Sequence, residues 1–189
     1  MYALHRQVTG KIVIVFTLLL LIPTSASSMT AEKIFEWVIR TMEIEESTPL
    51  PTIRFVDKEE LHAIFRQSNQ NSFQRWAEKY GSEQAEKIIN TYLTEVIGLF
   101  DPKNGVVYVG DFLGTCEKQV ILAHELTHYL QDRFHGTITP DSWNADTIHL
   151  MREMEAYGID EKFENEFCGQ TPTPRRITAY GSSETIGIH

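Results

Sequence analysis

Positive charge is scarce in this chain: its 189 residues carry 17 Lys and Arg against 26 Asp and Glu, a formal net charge of −9. A nucleic-acid binder leaves a basic footprint, and adhesion to anionic lipid draws on cationic segments. Neither partner is expected here. Long hydrophobic runs are also missing. The longest, Ile12 to Ile22, is eleven residues with only Thr17 polar. At ~1.5 Å per helical residue it falls well short of the ~30 Å hydrocarbon core of a bilayer. Internal repeats and low-complexity tracts are absent, which excludes a repeat array. The length excludes two comfortable domains while leaving enough chain for one real core. Cysteine is limited to Cys116 and Cys168. Neither lies near the N-terminal run, so a lipid-anchored product is not expected. In an oxidising compartment such a pair is a disulfide candidate, the alternative being two buried thiols.

What is present begins with a leader. His5, Arg6 and Lys11 precede the apolar run, Pro23 breaks it, and Thr24-Ser25-Ala26 supplies small residues. That order of basic, apolar and small segments is the anatomy of a secretory signal peptide. Residues 1–26 are therefore expected to be removed, leaving residues 27–189 as a single exported domain, periplasmic or secreted. No stable membrane insertion is expected after cleavage.

The rest reads as mixed α and β, mainly helical. Ile34, Trp37, Val38 and Ile39 recur at helical spacing between Ala31 and Met42. Ile53 to Val56 is a short strand candidate, and Asp57 with Glu60 three residues on forms a capping-box pattern for a helix to Phe65. Helices over Phe73 to Tyr80 and Glu83 to Leu93 are separated at Gly81. Val96 to Phe100 and Val106 to Val109 flank the turn cluster Asp101-Pro102-Lys103-Asn104-Gly105, a hairpin signature. The longest helix is predicted from Gly114 to His135, capped by Thr115 and ended by Gly136. A second long helix is predicted from about Ala145 to Phe167.

Within the longest helix stands His124-Glu125-Leu126-Thr127-His128. Residues four apart on a helix lie one turn above each other, so both imidazoles can reach one zinc ion. Glu125 is rotated by ~100° from His124 and flanks the ion, where a carboxylate can take a proton from water. The bland alternative is a solvated His/Glu face. It sits poorly with the apolar residues Val120 to Ala123 just before the motif, because an interior His/Glu cluster without a partner is costly. Catalytic zinc needs a third protein ligand and an open position. A near histidine is rejected, since Gln131 and Phe134 stand where the Gly and His of H-E-x-x-H-x-x-G-x-x-H belong. Asp141 is conceivable. A glutamate on the second long helix fits better, with Glu155 preferred because Ala156 beside it permits close helix packing, and Glu153 the alternative.

The segments VILAHELTHYLQD and REMEAY resemble the gluzincin zinc metallopeptidases, specifically their small bacterial members, over about residues 95–167. The resemblance implies a minimal zincin-like α+β domain with a small antiparallel sheet or hairpin beside the motif helix. It implies one Zn2+ held by His124, His128 and Glu155, with Glu125 as general base in the hydrolysis of a peptide or protein, as an endopeptidase rather than an exopeptidase. A non-catalytic zinc-binding extracytoplasmic module is the alternative. Thermolysin-like relatives place an Asp four residues after the ligand Glu. Counted from Glu155, that position is Ile159, with Asp160 one further. No motif marks an oxyanion-stabilising residue among Tyr129, His149, Tyr157 and Tyr180. The resemblance also implies that an edge strand, read as Val106 to Val109, pairs with the substrate backbone. If the two long helices pack antiparallel, Cys116 and Cys168 meet at the end remote from the turn between them.

Overall fold

The computed structural model describes residues 29–138 and 145–169. The expected leader, Asp141 and Tyr180 lie outside those residues. The chain is α+β and mainly helical. Helix α1 (Ala31–Thr41) is followed by strand β1 (Thr52–Val56) and by helices α2 (Lys58–Ser68), α3 (Gln70–Tyr80) and α4 (Ser82–Glu95). Strands β2 (Gly98–Asp101) and β3 (Val106–Gly110) then lead into the long helices α5 (Thr115–His135) and α6 (Ala145–Phe163), the latter continued by a π-helical turn, Glu164–Cys168. Among the described residues no helix is long and apolar enough to cross a membrane.

The hairpin forms as the sequence predicts, with β2 antiparallel to β3 and Gly98 opposite Val109. The third strand changes its setting. β1 pairs in parallel with β3, Thr52 opposite Val106, so the order is β1-β3-β2 and the sheet is mixed. The expectation that Val106 to Val109 is an edge strand is thereby corrected: both sides of β3 are already paired, and the edges are β1 and β2. Alternation along β3 sends its side chains to two cores. Val107 and Val109 join the cluster built by α1 and α5, and Tyr108 joins that of α2 and α4.

Local chemistry sets the helix ends. The Asp57 carboxylate accepts the Glu60 backbone N–H at 2.8 Å, the cap the sequence predicts for α2. Thr115 does not cap α5, because Gly114 holds the N-cap position without any side-chain hydrogen bond. Gly136 ends α5 with φ of 77°, a left-handed conformation costly for a residue with a Cβ.

α5 is the central beam. Its residues from Val120 to His128 are all buried, and it touches α1, both hairpin strands and α6. α6 lays Ala156, Ile159 and Phe163 into the core, each large side chain worth about 1.5–3 kcal/mol of burial. Trp37 of α1 meets the Phe163 ring edge-on at 5.1 Å. A Cys116–Cys168 disulfide, Cα atoms 5.9 Å apart, ties the start of α5 to the end of the π-helical turn. The two long helices are thus joined at the end remote from their connecting segment.

Candidate metal centre

Two adjacent turns of α5 and two of α6 face each other across one buried point. His124 and His128 project from α5 with their Nε2 atoms 3.1 Å apart. From α6, the Glu153 carboxylate comes to 3.2 Å of His128 Nε2 and 3.7 Å of His124 Nε2. All three residues are buried, and one atom from each lies within a span of 4.8 Å.

The far nitrogen of each ring explains why these atoms converge. His124 Nδ1 is 2.9 Å from Asp160 Oδ2, so its N–H donates to that carboxylate. His128 Nδ1 is 2.9 Å from Gln131 Oε1. With each Nδ1–H so engaged, Nε2 is the nitrogen of each ring left to hold a shared proton or a cation. Two ring nitrogens and a carboxylate oxygen face one another, which is favourable only with a proton or a cation between them. Donors ~2.0–2.1 Å from one tetrahedral zinc stand about 3.3 Å from one another. The two Nε2 atoms, 3.1 Å apart, stand near that separation, and Glu153 faces them with both oxygens, Oε1 3.2 Å from His128 and Oε2 3.7 Å from His124, so the set is compatible with such an ion.

Glu153, not Glu155, completes this set, which corrects the ligand preferred from sequence. Residues two apart on a helix are rotated by ~200° from each other, so only one of the two can face the histidine pair. Ala156, Ile159 and Phe163 enter the core and set the rotation of α6. Glu153 and Asp160 lie three before and four after Ala156, on that same face. Glu155 is turned outward and exposed, its carboxylate accepting from Gln131 Nε2 at 2.9 Å. Ala156 is fully buried between the helices, so its small size does serve close approach, for the neighbouring acid on the core side.

Glu125 occupies the flank. It is 2% exposed, and its Oε1 has no hydrogen-bond partner among the described residues. A backbone hydrogen bond from Phe100 reaches the carboxylate. Burial pushes its pKa up to about 8, with the negative charges of Glu153 and Asp160 adding to the rise and His124 opposing it. Burial acts to lower the His124 pKa, but the Asp160 and Glu153 carboxylates outweigh it and raise it to about 10. Burial alone would raise the Glu153 carboxyl, yet the adjacent His124 and His128 imidazoles hold it down at about 2.

Gly98 makes room for this corner. A Cβ there would come within 2.5 Å of Ile121 Cγ2 and 2.8 Å of Glu125 Oε1. Only glycine lets β2 lie this close to α5 without moving the glutamate. Tyr157 sets its ring 5.3 Å from that of His124, and His149, half-buried, has Nδ1 4.0 Å from Glu153 Oε1. Tyr129 is turned away and donates to the Pro49 carbonyl at 2.9 Å.

Asp160, Gln131 and Gly98 are the members that sequence reasoning missed. Asp160 stands seven residues after Glu153 rather than the four that the resemblance implies, and Gln131 stands where a different zinc motif has glycine, so neither position carries a mark in the sequence. Compared with known proteins, the chain matches no family model, no curated protein and no solved structure.

Proposed function

We propose that this chain is an exported zinc-dependent peptide hydrolase, with His124, His128 and Glu153 as ligands and Glu125 as general base. One observation carries the reading. Both Nδ1 atoms are engaged as donors, so both Nε2 atoms and the Glu153 carboxylate converge beside a buried glutamate with one unpaired oxygen. A purely structural site has no need of that glutamate.

The ion, when bound, supplies Lewis-acid polarisation of the attacking water and of the scissile carbonyl. The remaining work belongs to the chain. Glu125 takes the water's proton at Oε1 and passes it to the leaving amine; burial favours its acid form in the ion-free site, and a dication beside it would favour the carboxylate that accepts the proton. Asp160 holds His124 in the Nδ1–H tautomer and balances the charge of the site. Export rests on the leader anatomy of residues 1–26, and the Cys116–Cys168 disulfide suits an oxidising compartment.

His149 favours a second reading, a non-catalytic zinc-binding module. Its ring stands one turn before Glu153 and within 4.0 Å of that carboxylate, close enough to serve as a fourth ligand that closes the site.

The test combines metal analysis with a peptide-library digest. Wild type should carry one zinc per chain and cleave peptides, while Glu125→Gln keeps the zinc and loses the cleavage. Full cleavage by zinc-loaded Glu125→Gln refutes the base. Zinc without cleavage in wild type, together with cleavage gained by His149→Ala, establishes the closed module.

A further inference from the structure

We infer that Gln131 and Glu155 form a positioning relay that fixes the tautomer and ring angle of His128, and so helps determine how tightly zinc is held. The inference rests on the zinc reading above and concerns residues that neither bind the ion nor touch substrate.

Gln131 lies three residues after His128 on α5 and is 1% exposed. Its side-chain amide is used at both ends. Oε1 faces His128 Nδ1 at 2.9 Å, while Nε2 donates to the Arg152 carbonyl at 3.0 Å and to Glu155 Oε2 at 2.9 Å. Both partners of Nε2 can only accept. Turning the amide over would set its oxygen against two acceptors and its NH2 against the ring nitrogen. The surroundings therefore dictate one orientation, and that orientation requires the proton on His128 Nδ1. The ring's Nε2 is left facing Glu153 and His124.

Asp160 does the same for His124 with a full charge. For His128 the group in contact is a neutral amide, and the charge sits one bond further out, on an exposed carboxylate. This arrangement orients the ring without burying another anion, in a site that already holds Glu125, Glu153 and Asp160. The Arg152 carbonyl adds a mechanical link. It precedes Glu153 in the chain, so the amide joins the second histidine to the backbone that carries the third ligand. Hydrogen-bonded partners of this kind are worth about 10–100-fold in metal affinity.

The experiment is a zinc titration of the full chain against a chromophoric chelator. It compares wild type with Gln131→Met, Glu155→Ala and Glu155→Gln, and adds the visible spectrum of each Co2+-loaded protein. Gln131→Met should weaken zinc by about 10–100-fold and shift the cobalt bands. Glu155→Ala should weaken it less, and Glu155→Gln, which can still accept from the amide, should restore wild-type affinity. Unfolding midpoints in EDTA should be unchanged for both Glu155 variants, because that residue is exposed. Wild-type affinity and cobalt spectrum in both Gln131→Met and Glu155→Ala would overturn the relay. So would total loss of zinc in Glu155→Ala, which would make Glu155 a ligand, or failure of Glu155→Gln to rescue. If Gln131→Met does not fold, the two Glu155 variants decide. Absence of zinc from wild type is the separate outcome that removes the zinc reading, and the relay with it.

Discussion

Replacing Glu125 by glutamine should stabilise the metal-free protein, by an amount that grows with pH. The Glu125 carboxyl is buried with one oxygen unpaired, and its pKa rises from 4.5 to about 8. In the unfolded chain the same group ionises near its ordinary value. Between those two pH values the native state keeps a proton that the unfolded state has lost. Stability from this group is thus fully present below about pH 4.5 and is lost as pH rises to about 8. The slope is about 1.4 kcal/mol per pH unit, and the whole interval amounts to about 5 kcal/mol. Glutamine has the same shape, still accepts from Phe100, and does not ionise. His124 and Glu153 titrate in both proteins, so the difference between the two curves reports Glu125 together with its coupling to His124. Urea unfolding in EDTA at pH 5, 6, 7 and 8, followed by tryptophan fluorescence, measures that difference. It should be small at pH 5 and several kcal/mol at pH 8. A difference that stays level across this range would refute the argument that Glu125 is held as a desolvated acid. Added zinc should close the gap, because a dication beside the carboxylate favours its charged form.

Glu153→Ala should abolish stoichiometric zinc binding while leaving the fold intact, as read by elemental analysis after gel filtration and by circular dichroism. Retention of one zinc per chain would exclude Glu153 as a ligand. Gly98→Ala should cost about 1–3 kcal/mol, since its Cβ meets Ile121 and Glu125 well inside van der Waals contact. Peptide cleavage should fall further than stability, because the glutamate is displaced; unchanged turnover would show that it keeps its place. Replacing both Cys116 and Cys168 by serine should cost about 4 kcal/mol by loop-closure entropy, given their separation of 52 residues. Equal urea midpoints for the variant and the oxidised parent would contradict that figure.

The sequence by itself determined whatever depends on neighbours along the chain. The H-E-x-x-H spacing places His124 and His128 one turn apart wherever α5 lies, and Asp57 caps α2 through its own backbone. The turn cluster after Phe100 makes a hairpin because its residues favour one locally. The tertiary structure decided what depends on how elements meet. Which of Glu153 and Glu155 faces the histidines is a matter of helix rotation, and that rotation is set by Ala156, Ile159 and Phe163 seeking a core that α1 and α5 supply. Periodicity on α6 gives little notice of it, since exposed Leu150, Met151 and Met154 blur the apolar stripe. The parallel pairing of β1 with β3, which makes β3 central, joins segments more than fifty residues apart and carries no local mark. Asp160 acquires its role only when α6 is brought against α5, and Gln131, though one turn from His128 on α5 itself, has its amide oriented only by acceptors on α6, because a hydrogen bond between two helices is invisible until both axes and both rotations are fixed.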